Sequence, residues 1–332
     1  MRFGLSLPHY GFSLPSGSIS IADAVGWAVR AEELGFDSVW VSDHFFYSFA
    51  RYGEGSGPKA SLEPLTTLAA VAAATERVRL GTLVLCAPFR HPALLAKAVA
   101  TLDRLSAGRF EVGLGAGWFR EEFEAFGYRF GSVDERFGVL EDTLEALRGL
   151  LDGETVTLAN GTVRFDRAAI RPGPSRRPPV WVGGKGGPRL LRMATTYADG
   201  WNVVWRIAPE AYAAKLDGVR RACERAGRDP ATFRRSVGLY SLIGEDAAAA
   251  RAAFERGRAA SPGDAMADDD VDSWRADTLS GTPAEVLDRV AAFEALGVEE
   301  LIVAPWILPF AIHEPEQVEL FAERVIRPLR GP

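Results

Sequence analysis

The sequence predicts an α/β protein built as a (β/α)₈ TIM barrel, and two observations lead to this fold class. Eight short apolar, β-branched runs alternate with longer helical patterns along 332 residues, as expected for parallel strands covered by helices. No G-x-G-x-x-G motif follows the first run, which disfavours the doubly wound sheet, the main alternative. We therefore expect residues 1–332 to form one barrel domain with insertions in its βα loops.

The predicted elements follow in a regular order. Apolar runs predict strands at residues 2–8, 36–41, 78–85, 109–115, 178–184, 199–205, 234–244 and 299–305. Amphipathic or alanine-rich stretches predict helices at residues 21–35, 64–76, 92–106 and 133–151. An Asn-Gly pair within residues 154–165 predicts a β-hairpin.

Composition and charge exclude several classes of function. The formal net charge of −6 provides no electrostatic footprint for nucleic acid. No apolar run approaches the roughly 20 residues that span a membrane, and the first residues lack the pattern of a signal peptide. Cys86 and Cys223 have no disulfide or metal spacing, so we expect reduced thiols in a cytoplasmic protein.

Polar and glycine-rich segments concentrate where the predicted strands end. In a barrel, the reactive residues lie at this end, in the βα loops. These segments comprise residues 8–10, 42–44, 90–91, 115–118 and 183–187. The concentration predicts a functional site at the carboxyl ends of the strands.

The segment "VGGKGGP" predicts a phosphate site. Gly183, Gly184, Gly186 and Gly187 would let backbone N–H groups approach an anion, and Lys185 would add positive charge at a helix N-terminus. The alternative is a flexible βα turn. Without a Walker lysine-serine/threonine pair, a phosphorylated cofactor or substrate is favoured over nucleotide hydrolysis.

A second glycine-rich turn follows the fourth predicted strand. Gly115, Ala116 and Gly117 would allow a flat ligand to approach the backbone closely, with Trp118 as a wall or lid. The alternative is a tight turn that carries a core tryptophan.

His44 is the candidate general acid or base, because the pKa of an unperturbed histidine lies near neutrality. Asp43 would orient His44 or accept a hydrogen bond from a ligand. The alternatives for this pair are a helix cap and a salt-bridged loop, and His91 is expected to cap the helix that follows it. No metal site is predicted, because no cluster has metal-ligand spacing, and no G-x-S-x-G elbow is present.

Taken together, four segments resemble the bacterial luciferase-like oxidoreductase family. They are "AEELGFDSVWVSDHF", "RLGTLVL", "RHPALLAKAVATLDRLSAGRFEVGLGAGW" and "PPVWVGGKGG". The resemblance implies a barrel that binds FMN or coenzyme F420 at the strand ends, and a homodimer. The "SDH" after the second strand is most similar to the F420-dependent branch.

The resemblance also implies roles for individual residues. Asp43 would contact the deazaflavin ring, and His44 would stand near the carbon that exchanges hydride. The Leu83–Val84 peptide matches a cis bond that forms a bulge against the ring. Gly183, Gly184 and the turn after them would take the cofactor phosphate.

The chain departs from the sugar-phosphate dehydrogenases of that branch. Ser48 and Trp118 occupy positions where those enzymes have a tryptophan and a glutamate, which argues against glucose 6-phosphate as substrate. Glu121 and Glu122 lie nearby on the next helix, but helical acids are usually solvated, and we assign them no catalytic role.

Two loop segments bear on the substrate. Residues 45–58, aromatic and then glycine-rich, are expected to shape a pocket for an apolar or ring-containing molecule. Residues 261–281 are acidic and turn-rich. They are interpreted either as a mobile lid or as a solvated surface excursion.

The predicted function is hydride transfer between coenzyme F420 and an apolar or ring-containing small molecule. An FMN-dependent monooxygenase using reduced flavin and O₂ is the alternative within the family. A cofactor-free aldolase or isomerase acting on a phosphorylated substrate is a more distant alternative. A Schiff-base lysine at the end of a strand would support it, but none of the four lysines lies inside a strand pattern. A non-catalytic flavin-binding protein is the third alternative.

Overall fold

The computed structural model describes residues 1–55, 57–159 and 161–331, and it contains a closed barrel of eight parallel strands. The strands are β1 (Arg2–Ser6), β2 (Ser38–Val41), β3 (Arg79–Thr82), β4 (Phe110–Gly115), β5 (Val180–Gly183), β6 (Gly200–Trp205), β7 (Arg234–Tyr240) and β8 (Glu300–Ala304). Each pairs with the next along the chain, and β8 closes on β1 with Leu301 opposite Phe3. The predicted fold class and its eight strands are confirmed.

Helices surround the barrel. They are α1 (Ile21–Leu34), α2 (Pro64–Ala74), α3 (Pro92–Leu105), α4 (Arg120–Ala125), α5 (Val133–Leu151), α6 (Pro188–Tyr197), α7 (Pro209–Arg225), α8 (Ala247–Ala259), α9 (Val271–Ala276), α10 (Pro283–Ala295), α11 (Pro315–Phe321) and α12 (Arg327–Arg330). The four predicted helices are confirmed within two residues. Within the described ranges, no helix is both long and apolar enough to cross a membrane.

Side-chain caps fix where the helices begin and end. Ser20 accepts a hydrogen bond from the Asp23 N–H while Asp23 binds back to the Ser20 backbone, and Ser132 and Glu135 repeat this capping box on α5. Gly35 ends α1 with φ 88°, a left-handed conformation that glycine adopts without steric cost. These capping residues are local sequence signals for where the helices begin and end.

The third strand departs from the predicted run of residues 78–85. It stops at Thr82, the Leu83–Val84 peptide is cis as the resemblance implies, and Leu85–Cys86 resumes pairing with β4. The predicted hairpin is present as antiparallel strands Val156–Leu158 and Phe165–Ala168. Asn160 of its predicted turn lies outside the described residues.

A buried charge network closes the amino-terminal end of the barrel. Glu111 and Glu300 are at most 1% exposed, and Arg2, Arg79 and Arg234 surround them from the first residues of their strands. Burial opposes ionisation, but the three arginines together hold the pKa of Glu111 below its usual range. Burial raises the pKa of Glu300. With this end closed, the opposite end of the strands is left for a ligand.

Candidate active site

A cavity of about 870 Å³ opens at the carboxyl ends of the strands. Eleven of the twelve predicted site residues line it: Asp43, His44, Leu83, Val84, Gly115, Ala116, Gly117, Gly183, Gly184, Lys185 and Gly187. Gly186 is the exception, because it faces the other side of its loop, where a Cβ would come within 2.6 Å of the Trp201 ring. The structure thus brings together segments from four different βα loops.

His44 is held by Glu122, which the sequence analysis left unassigned. The His44 Nδ1 lies 2.9 Å from Oε1 of Glu122, and the Phe45 N–H donates to Oε2 at 3.0 Å. Because a carboxylate oxygen accepts hydrogen bonds, this contact assigns a ring proton to Nδ1 and leaves Nε2 without a hydrogen-bond partner among the described residues. A buried acid in contact with a cavity histidine is a pair suited to proton transfer.

The interpretation of Glu122 as a solvated helical acid is therefore wrong. Its side chain is 2% exposed, whereas Glu121 is exposed as expected. The reason is the packing of α4: Phe123 is fully buried, with its ring centroid 4.6 Å from that of Phe89. This contact holds α4 against the cavity. The apolar neighbours Phe119 and Phe123 were the one signal in the sequence.

Ser42 joins the first two strand ends. Its N–H donates to His9 Nε2 at 3.2 Å, its hydroxyl hydrogen-bonds that of Tyr10, and His9 Nδ1 lies 2.9 Å from the Leu7 carbonyl oxygen. Burial lowers the pKa of His9 to about 3, so its ring is neutral around pH 7. This network holds Tyr10 in the cavity wall, with its ring 6.2 Å from that of His44.

Asp43 anchors the segment after the cis peptide. Its carboxylate accepts the Cys86 N–H at 2.9 Å and is bound by both terminal nitrogens of Arg90, one of which also binds Glu63 at 2.7 Å. Asp43 is therefore salt-bridged, as one of the two alternatives predicted. Contact of Asp43 with a cofactor ring stays a prediction. His91 caps α3 by accepting the Ala93 N–H, as expected.

The Val84 side chain fills the space beside Gly115 and Gly183, where the sequence predicted the close approach of a ligand. A Cβ on Gly115 or Gly183 would come within 2.8 Å of a Val84 methyl group, whereas one on Gly113 would first meet the Thr82 carbonyl oxygen at 2.2 Å. Gly115 and Gly183 therefore leave room for the Val84 side chain between β4 and β5. Any contact they make with a ligand is in addition to this packing.

The turn at Gly117 places Trp118 at the cavity mouth. Gly117 has φ 76°, and a Cβ there would lie 2.7 Å from Cys86 Sγ. Trp118 is 50% exposed and its ring lies 5.6 Å from that of His44. The alternative of a core tryptophan is wrong, and Trp118 forms part of the wall.

The loop 183–187 forms the polar end of the cavity. Gly184 is fixed on both sides: its N–H donates to the Asn202 carbonyl, and its carbonyl accepts the Trp201 indole N–H at 2.8 Å. Gly187 begins α6 without a side-chain cap, and Lys185 and Arg189 flank the cavity there, with Arg189 paired to Asp134 at 2.6 Å. An uncapped helix start with Lys185 beside it suits the phosphate of a bound cofactor.

Aromatic residues form the opposite wall, and sequence reasoning did not assign most of them. Tyr240 stacks on Trp274 at 5.3 Å and on Trp205 at 5.8 Å, and Phe310 meets Trp205 edge-on. Burial raises the pKa of Tyr240. The residues come from β6, β7, α9 and the loop after β8, and no sequence pattern links positions so far apart.

Residues 261–281 supply part of this wall. Arg206 binds Asp269 at 2.8 Å and Asp277 at 2.9 Å, and Met266 and Trp274 are buried where they line the cavity. The alternative of a solvated surface excursion is therefore wrong. The mobility of this segment stays a prediction.

The loop 45–58 lines the cavity through Tyr47, Arg51 and Tyr52, and its Ser56 lies outside the described residues. The Arg51 guanidinium lies 4.5 Å from the Tyr52 ring centroid and 4.8 Å from that of Trp118. The loop shapes the pocket as expected. Both cysteines are buried free thiols.

Residues 1–300 match the model of the luciferase-like monooxygenase family. The chain belongs to this family. Its fold agrees, because an F420-dependent secondary alcohol dehydrogenase in complex with an F420-acetone adduct superposes with a TM-score of 0.78 over 98% of each chain, at 22% identity.

Relatives within the luciferase-like family divide by cofactor. An F420-dependent hydroxymycolic acid dehydrogenase of Mycobacterium tuberculosis is 35% identical over 69% of this chain and 61% of its own. An F420-dependent glucose-6-phosphate dehydrogenase of Nakamurella multipartita is 35% identical over 66% and 63%. An FMNH₂-dependent dimethylsulfone monooxygenase of Pseudomonas fluorescens is 27% identical over 83% and 80%. The chain thus spans less than two thirds of the first two relatives.

Proposed function

We propose that this protein is an oxidoreductase that transfers hydride between coenzyme F420 and an apolar or ring-containing alcohol or carbonyl compound. The observation that carries the proposal is the His44–Glu122 pair at the wall of a cavity with a glycine-rich, cationic end and an aromatic end. F420 is favoured over FMN because the three relatives with 35% identity are named for it.

The residues present fit such a cofactor. The loop 183–187 and the start of α6 would hold the phosphate, and Leu83 and Val84, which line the cavity, would contact the ring. The bound cofactor supplies the hydride acceptor or donor. The chain supplies orientation and a ring-lined wall.

His44 would move the proton that accompanies the hydride. When an alcohol is oxidised, its hydroxyl proton passes to His44 Nε2 as the hydride leaves its carbon. Glu122 holds Nδ1–H and stabilises the imidazolium that forms. In the reverse direction, the imidazolium returns the proton to the carbonyl oxygen.

The substrate class follows from the second wall. Tyr240, Trp274 and Phe310 present ring faces and edges, whereas the cations Lys185 and Arg189 lie at the cofactor end. This distribution favours a ring-containing molecule over a sugar phosphate. Glucose 6-phosphate therefore remains outside the proposal, even though several relatives, including the one from Nakamurella multipartita, are named for it.

A fluorescence titration of the purified protein with F420 and, separately, with FMN tests the proposal. We expect micromolar binding of F420 and weaker binding of FMN. Tighter binding of FMN would instead favour the monooxygenase alternative, which the relative from Pseudomonas fluorescens supports.

A further inference from the structure

A second cavity lies on the other side of the phosphate loop. This groove of about 610 Å³ runs between α6 and α7. Its described lining carries four basic side chains and no carboxylate; the four are Arg192, Lys215, Arg221 and Arg225. A groove with this one-sided charge attracts an anionic ligand.

The groove adjoins the candidate active site. Pro188 lines both cavities, and Gly186 borders the groove while its neighbours Lys185 and Gly187 border the active site. The Lys215 ammonium donates to the Lys185 carbonyl at 3.0 Å, which joins α7 to the loop. A ligand whose phosphate lies at the start of α6, and which continues beyond that phosphate, would therefore enter the groove directly.

Two of the groove's cations have no acidic partner. Arg192 is bound by Glu141 at 2.7 and 2.8 Å. In contrast, Arg221 and Arg225 pair with no carboxylate of the described part of the chain. They lie one helical turn apart, so their side chains are neighbours on α7.

The length of the groove suits an extended ligand. Ten residues separate Lys215 from Arg225, which corresponds to about 15 Å along the helix. Gly218 and Ala222 lie between these positions and leave the floor free of large side chains. A ligand that carries several anionic groups in series can meet Lys215, Arg221 and Arg225 in turn along the groove.

We propose that the α6–α7 groove binds the oligoglutamate tail of coenzyme F420. The inference rests on the proposed function. In F420, the phosphate continues into a lactyl group and γ-linked glutamates, each with a free carboxylate, whereas FMN ends at its phosphate. Arg221 and Arg225 would bind tail carboxylates, and Lys215 would bridge the phosphate loop and the tail.

The test compares two forms of the cofactor: F420 with five or six glutamates, and the phospholactyl form without glutamate. Dissociation constants are measured by fluorescence titration at low ionic strength, on the wild type and on Arg221→Gln/Arg225→Gln. The matched control is Arg220→Gln/Arg258→Gln, which removes the same charge from exposed arginines that pair with Asp217 and Glu255.

We expect the wild type and the control to bind the glutamylated form about tenfold more tightly, and the groove variant to bind both forms within about twofold. Equal binding of both forms by the wild type would overturn the tail site, and so would a preference that survives in the groove variant. If the wild type binds neither form, the proposed function itself fails and the tail site falls with it.

Discussion

Glu122 decides which nitrogen of His44 carries the proton, although the two residues are 78 positions apart. The carboxylate accepts from Nδ1 at 2.9 Å and from the Phe45 N–H at 3.0 Å. It is therefore a positioning residue, comparable to the acid that orients the histidine of a hydrolytic triad. Its effect on the reaction passes through the His44 tautomer.

Replacing Glu122 by Gln removes the charge while keeping the shape. We expect the preference for the Nδ1–H tautomer of His44 to be lost, because an amide can donate as well as accept. With a substrate in hand, kcat should fall about 10- to 100-fold with little change in KM. Nitrogen NMR of the four-histidine chain measures the tautomer.

Glu121→Gln is the matched control, since Glu121 is exposed on the same helix. It should leave both the tautomer and kcat unchanged. A wild-type tautomer in Glu122→Gln, at unchanged kcat, would remove Glu122 from the mechanism.

The packing of Val84 against Gly183 can be tested by substitution. Gly183→Ala should lower the free energy of unfolding by about 1–3 kcal/mol, because its Cβ would lie 2.8 Å from a Val84 methyl group. Adding Val84→Ala should recover part of the loss. Urea unfolding measures both, and Gly26→Ala in α1, with nothing within 4 Å, should change stability by less than about 1 kcal/mol. Strict additivity of the two substitutions would contradict this account.

Among the contacts between elements, Arg206, directly after β6, binds residues on both sides of α9. Its guanidinium binds Asp269 and Asp277 and lies 5.0 Å from the Trp274 ring centroid. Arg206 thus makes several polar contacts with the segment 261–281, which borders the cavity through Met266 and Trp274.

Arg206→Ala should speed hydrogen exchange of the backbone amides of α9 about tenfold, because two partly buried ion pairs contribute roughly 0.7 kcal/mol each. Exchange in α8 should not change. Mass spectrometry of peptides covering both helices measures this. Arg256→Ala, which removes the Arg256–Glu314 pair at 2.6 Å, is the control and should leave α9 protected. Unchanged exchange of α9 in Arg206→Ala would show that apolar packing alone holds it.

For the whole molecule, His9 links stability to pH. Its folded-state pKa of about 3 lies below the unfolded value near 6.5, so the unfolded chain binds a proton more readily. Stability is therefore complete above the unfolded pKa and declines as the pH falls from about 6.5 towards 3. His9 should account for about 2 kcal/mol of loss between pH 7.5 and pH 5.

Urea unfolding at the two pH values measures this loss, and His9→Gln should show a smaller difference between them. Equal differences in the variant and the wild type would assign the pH dependence to other groups.

Much of the molecule could be predicted from the sequence, for identifiable reasons. The strands are uninterrupted apolar runs and the helices carry caps such as Ser132 and Glu135, so both are local signals. The strand ends led to the cavity residues, because a barrel brings these ends together. The burial of Glu122 depends on how α4 packs, and the wall of Tyr240, Trp274 and Phe310 depends on the assembled fold. The burial of Glu122 leaves only a weak local signal in its apolar neighbours Phe119 and Phe123, and the aromatic wall leaves none.

The two glycines beside Val84 also constrain how this sequence can have changed over time. Gly115 and Gly183 lie on two strands, yet each leaves room for the same side chain. A larger residue at either position is tolerable only after position 84 has become smaller. Among relatives of this chain, these three positions should therefore vary together, and a β-branched residue at position 84 should be accompanied by glycine at the other two.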